Sequence, residues 1–180
     1  MLGIKTGDRV AQLGRTDLEL LAAIAHKIGP SGSIVAMVPD QPSADQMRGE
    51  SMAGNIRVEV VPPTNLIRPA APYDVALVDD TDSLFESVRP ERRRSVVGEL
   101  FRVLRPGGTV IVIGRQPRGG MLGALLATAS PLSVADLKGW LTAEGFVSVR
   151  LLAAHGELAL AEGIKPASVT APAESEKPRG

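Results

Sequence analysis

The sequence predicts an α/β fold: a doubly wound, mostly parallel sheet with an antiparallel last strand. Three observations carry this. Apolar runs alternate with segments of helical periodicity from Arg9 to Ala161, the pattern of strand-helix-strand units. Glycine and proline punctuate the junctions, as in Gly29-Pro30-Ser31-Gly32, Pro62-Pro63 and Arg105-Pro106-Gly107-Gly108. The last two apolar runs flank the short turn His155-Gly156, which suits an antiparallel pair.

Arg9 to Leu13 reads as strand one, and Asp17 to Ile28 as a helix with Leu18, Leu21, Ala22 and Ala25 on one face. Strand two is Ser33 to Val38, ended by Pro39, and a short polar helix follows at about Ser43 to Met52. Strand three, Arg57 to Val61, closes at Pro62-Pro63, because proline cannot donate to a sheet ladder. Strand four is Asp74 to Val78, followed by the acids Asp79, Asp80 and Asp82. Pro90 suits the first turn of a helix from Glu91 to Leu104 that buries Val96, Val97, Leu100, Val103 and Leu104. After the Arg105–Gly108 turn, Thr109 to Ile113 is nearly all β-branched, as a central strand would be. A small apolar helix is expected at Met121 to Ala129, and Ser133 caps another that runs to Glu144 before Gly145. Phe146 to Leu152 and Glu157 to Ala161 make the final strand pair. The domain is therefore expected to span 3–164. The tail, 165–180, is rich in Pro, Ala, Ser and Glu without periodicity and is expected to be disordered.

Composition narrows the function classes. With 180 residues the chain suits one domain with a sizeable core, and 44% hydrophobic content is ordinary for a globular protein. Lys+Arg 20 against Asp+Glu 20 gives no global field for a nonspecific nucleic-acid binder. The absence of cysteine excludes disulfides, thiolate metal sites and a cysteine nucleophile. No apolar run approaches the roughly 20 residues of a membrane span, and no signal-peptide pattern opens the chain, so a cytoplasmic location is expected.

Four segments together resemble the class I S-adenosylmethionine-dependent methyltransferases, most closely the type 11 or quinone-biosynthesis-like group. They are Thr6-Gly7-Asp8-Arg9-Val10 with Leu13-Gly14, Tyr73-Asp74-Val75-Ala76-Leu77, Phe101 to Gly108, and Leu137 to Phe146. The resemblance covers roughly residues 3 to 166 and implies a Rossmann-like sheet, here without the family's N-terminal cap helices. It also implies S-adenosylmethionine as cofactor and methyl transfer to a small molecule. In the family, strand one ends in an acid and a G-x-G-x-G turn at the cofactor. Carried over residue by residue, the acid falls on Gln12 and the glycines on Gly14, Thr16 and Leu18, with Arg15 in the turn. The acid that accepts both ribose hydroxyls falls on Val38, with Asp40 two residues on, and the acid near the adenine falls on Pro63. The resemblance thus leaves two readings: a methyltransferase with an eroded cofactor site, and a non-catalytic pseudo-methyltransferase acting as a binding or scaffold subunit.

Arg15 and Arg115 follow strands one and five and would favour an anionic small molecule if they converge; the alternative is two solvated loop arginines. Asp79 is the candidate for a catalytic carboxylate among the acids after strand four, against the reading of an acidic capping loop, and no metal site is expected. Arg89, Arg92, Arg93 and Arg94 lack interleaved aromatics and read as a solvated face. His26 and His155 read as structural. An open crevice would leave room for a protein partner or a second copy, and Met121 to Leu126 is apolar enough for such a contact or for core packing.

Overall fold

The computed structural model describes residues 3–15, 17–49, 54–66, 71–115, 134–155 and 158–167. Seven strands form one sheet: β1 (Arg9–Leu13), β2 (Ser33–Val38), β3 (Ile56–Val60), β4 (Tyr73–Asp79), β5 (Leu104–Arg115), β6 (Val147–His155) and β7 (Leu158–Ile164). Their order is β3-β2-β1-β4-β5-β7-β6. The first five pair in parallel, whereas β7 runs antiparallel to both β5 and β6. The helices are α1 (Leu18–Ile28), α2 (Gln41–Gly49), α3 (Leu84–Ser87), α4 (Arg93–Val103) and α5 (Val134–Glu144), with a 3-10 turn at Pro90–Arg92.

Alternation along the strands divides the core between the two faces of the sheet. On one face Val10, Ile34, Ala36, Val75, Leu77 and Ile111 pack with Leu21, Ile24 and Ile28 of α1. On the other, Ala11, Leu13, Ala76, Val78, Val110 and Val112 pack with Val97 and Leu100 of α4 and Leu141 of α5. The expected α1 face is corrected in part: Ala22 is exposed, and Ile24 and Ile28 carry the burial with Leu21 and Ala25.

Boundary differences have local causes. Asp17 caps α1 rather than joining it, its Oδ1 accepting from Glu19 N at 2.9 Å. The helix α2 begins at Gln41, not Ser43, because Asp40 Oδ1 accepts from Ser43 N at 2.8 Å and closes the first turn. The Arg105–Gly108 turn lies within β5 as a bulge: Tyr73 pairs with Leu104 but Val75 with Thr109. Gly107 takes φ +75°, and a Cβ on Gly108 would lie 2.9 Å from the Arg105 carbonyl oxygen, so both glycines are needed there. Lys165, the first residue of the expected tail, is tied down. Its N donates to Gly108 O at 2.8 Å, and its O accepts from Gly107 N at 2.9 Å. Its Nζ donates to Phe101 O and Leu104 O, both at 2.7 Å, closing the end of α4. The helix expected at Met121 to Ala129 and the rest of the tail, 168–180, lie outside the described residues.

Candidate functional site

In an open parallel sheet the ligand crevice lies past the carboxyl ends of the strands. Here that edge is formed by Gly14 and Arg15 after β1, Asp40 after β2, Pro63 after β3, Asp79 to Asp82 at the end of β4 and Arg115 at the end of β5. Thr16 lies outside the described residues, as does the side chain of Arg115.

Gly14 has φ +98°, and a Cβ there would overlap the carbonyl oxygen of Asp79. The close approach that demands glycine is therefore between β1 and the end of β4, within the protein itself. Gln12 is fully buried, and its Nε2 donates to Gly14 O at 2.8 Å, holding the turn in shape. Leu18, which falls on the third glycine of the family pattern, opens α1 and lines the crevice beside Arg15.

Val38 ends β2 with no solvent exposure, packed into the core on the α1 face of the sheet. Asp40, two residues on, already caps α2. Its carboxyl is held below the usual carboxylate range by the Ser43 N–H first, then by the Ser43 hydroxyl, with the Arg15 charge adding to both.

Arg15 reaches across the crevice. Its Nη2 donates to Gln46 Oε1 of α2 at 2.9 Å, and its Nη1 lies 4.0 Å from Asp82 Oδ2. A cleft of about 140 Å³ lies between α1 and α2, lined by Arg15, Asp17, Leu18, Ser43, Gln46 and Met47. Asp82 is thus the carboxylate beside the guanidinium, Asp17 lines the same cleft, and the Arg15 charge also bears on Asp40. Of the two arginines expected to favour an anion, Arg15 is held by Gln46 and Asp82, and the side chain of Arg115 lies outside the described residues.

Asp79 is 5% exposed, and its Oδ1 accepts from Thr81 N at 3.0 Å and Thr81 Oγ1 at 2.6 Å. Asp80 Oδ1 accepts from Phe85 N at 2.8 Å and so caps α3. Burial pushes the Asp80 carboxyl up to about 6; the charges of Glu86 and Asp79 add to this, while the Phe85 N–H and Arg93 oppose it. Of the basic run, Arg89, Arg92 and Arg94 are exposed, and Arg93 Nε donates to Val88 O at 3.2 Å.

Sequence reasoning missed Gln46, Ser43 and Asp17 as crevice residues. Gln46 lies 31 residues from Arg15, and no local pattern marks such a tertiary pair. A larger cleft, about 610 Å³, opens at the opposite edge of the sheet between the end of α1 and Asn55, beside the exposed His26. Among the described residues its lining is mostly apolar and contains no carboxylate, so the smaller cleft at the strand carboxyl ends is the better candidate despite its size. The side chain of His155 and the segment Met121 to Leu126 lie outside the described residues.

Neither a protein-family model nor a curated protein matches the sequence. Solved structures do match. A SAM-dependent methyltransferase from Aquifex aeolicus superposes with TM-score 0.69 at 16% identity, covering 90% of this chain and 84% of that one. An O-methyltransferase family protein from Burkholderia thailandensis gives TM-score 0.69 at 14% identity over 88% of this chain, which spans 51% of that protein. A Haloferax volcanii methyltransferase structure that includes the Trm112 methyltransferase activator gives TM-score 0.68 at 15% identity, covering 91% and 84% of the two chains. The seven-stranded sheet with its antiparallel β7 is the fold of the class I S-adenosylmethionine-dependent methyltransferases.

Proposed function

We propose that this chain is a methyltransferase-fold binding subunit whose crevice does not hold S-adenosylmethionine as a tight cofactor. One observation carries the reading: the last residue of β2, where the family's acceptor of the ribose diol falls, is Val38 and not an acid. Val38 is wholly buried and apolar, and Asp40, two residues on, has its Oδ1 engaged in the first turn of α2. A pair of buried hydroxyls left without that acceptor would lose roughly 1 to 3 kcal/mol each. Gln12, in place of the strand-one acid, spends its amide on Gly14. The glycine pattern fails again at Leu18, and Arg15 brings a positive charge toward a cofactor that carries a sulfonium. Two or three such losses take a micromolar site to about millimolar. The residues present therefore fit the cofactor poorly, and no transfer step is assigned to Asp79, whose carboxylate is turned into its own loop by Thr81.

A binding role fits what the crevice retains: a formed cleft bordered by two helix N-termini and polar side chains at the edge where this fold places ligands. The Haloferax methyltransferase, whose structure includes an activator protein, offers a precedent for partnership in this fold. Calorimetric titration with S-adenosylmethionine and with its demethylated product tests the reading. Dissociation constants near millimolar or weaker are expected; a value in the low micromolar range for S-adenosylmethionine overturns it.

A further inference from the structure

Arg15 is the one crevice cation whose contacts the structure describes, and it joins three separate segments of the crevice rim. It leaves the end of β1, donates to Gln46 of α2 at 2.9 Å and lies 4.0 Å from Asp82 in the β4–α3 loop. Its charge also acts on Asp40 after β2, and it lines the same cleft as Asp17, the cap of α1. Asp17 is the one carboxylate among the described residues that line the cleft, so without Arg15 that lining would hold an acid and no described cation. Opposite charges within a few ångströms favour one another most where solvent is partly excluded.

We propose that Arg15 is a built-in cation that takes the place of a cationic ligand and excludes one, so that the folded crevice prefers a neutral molecule to its positively charged counterpart. This rests on the reading that the crevice holds S-adenosylmethionine weakly, and it names the residue responsible for the discrimination by charge. The side chain is about half exposed, at 51%, and makes one side-chain hydrogen bond and one long ion pair. Such contacts are weak, so the guanidinium is a movable part of the lining. A ligand without positive charge enters beside it. A cation must displace it or endure the repulsion.

The two probes are S-adenosylmethionine, with its sulfonium, and S-adenosylhomocysteine, the neutral thioether of nearly the same shape. Both are titrated by calorimetry, at constant ionic strength, into the wild-type protein, Arg15→Ala and Arg15→Lys. Wild type is expected to bind the thioether more tightly than the sulfonium. In Arg15→Ala the sulfonium should gain about tenfold or more, as expected on removing a like charge a few ångströms away, while the thioether changes by less than about threefold. Arg15→Lys, which keeps the charge and loses the fork, should behave as wild type does. An equal gain for both probes in Arg15→Ala would reduce Arg15 to a steric obstacle and overturn the proposal. So would an unchanged sulfonium affinity. If wild type already binds S-adenosylmethionine in the low micromolar range, the proposed function itself falls. If wild type binds weakly and Arg15→Ala no better, only the role of Arg15 falls. Arg15 is a surface residue outside both core clusters, so the variants are expected to fold; unchanged melting curves confirm that the comparison is between like structures.

Discussion

Replacing Asp80 by asparagine should stabilise the protein, and only at high pH. Burial raises its carboxyl from the ordinary 3.8 to about 6, so the folded state prefers the protonated form. Between about pH 4 and pH 6 the folded protein then binds more protons than the unfolded chain, and stability falls as pH rises through that window. At 1.36 kcal/mol per pK unit, a gap of about two units sets a ceiling near 3 kcal/mol. The side chain is only part-buried, and solvent screening reduces this to about 1 to 2 kcal/mol. Asp80→Asn removes the charge but keeps the Oδ1 acceptor that Phe85 N uses at 2.8 Å. Urea unfolding at pH 8 should therefore show the variant more stable by about 1 to 2 kcal/mol, a midpoint shift of about 0.5 to 1 M. The two proteins should converge as the pH falls below about 4. A variant less stable than wild type at pH 8, or a difference independent of pH, would refute the burial argument.

Two further outcomes follow from backbone geometry and capping. Gly14→Ala combines a positive φ with overlap of the Asp79 carbonyl, so it should cost at least about 2 kcal/mol in thermal or urea unfolding, even without any ligand present. Lys165→Ala removes two hydrogen bonds that close the end of α4 and the cation held 4.6 Å over the Phe101 ring. A loss of about 1 to 2 kcal/mol is expected in the same assay, with Lys165→Arg recovering part of it.

Much of the sheet was legible in the sequence because buried parallel strands are written as short apolar runs. Val75-Ala76-Leu77-Val78 and Val110-Ile111-Val112-Ile113 could hardly be anything else. The ends were less so. Whether Asp17 and Asp40 begin a helix or cap it depends on where a carboxylate turns, and α3 is a single turn fixed by Asp80 bonding to Phe85 five residues on. Arg105-Pro106-Gly107-Gly108 reads as a break before a strand, but the ladder resumes on either side of it, which only the partner strand reveals. At the candidate site, the replacement of acids and glycines at Gln12, Leu18 and Val38 was visible from position alone. That Asp40 is engaged with Ser43, that Gly14 answers to Asp79, and that Arg15 meets Gln46 and Asp82 depends on how separate loops meet in space.

The placement of β7 between β5 and β6 has a consequence for biosynthesis. A ribosome delivers β5 and β6 before the strand that must join them, so for a time Thr109 to Arg115 presents an open ladder and β6 has nothing to pair with. Most of the parallel half can form during this wait, but β5 remains a template for any extended chain nearby. A premature stop before Leu158 would therefore yield an aggregating product, not merely a weakened one, and cellular proteolysis would remove it long before any defect in ligand binding could show.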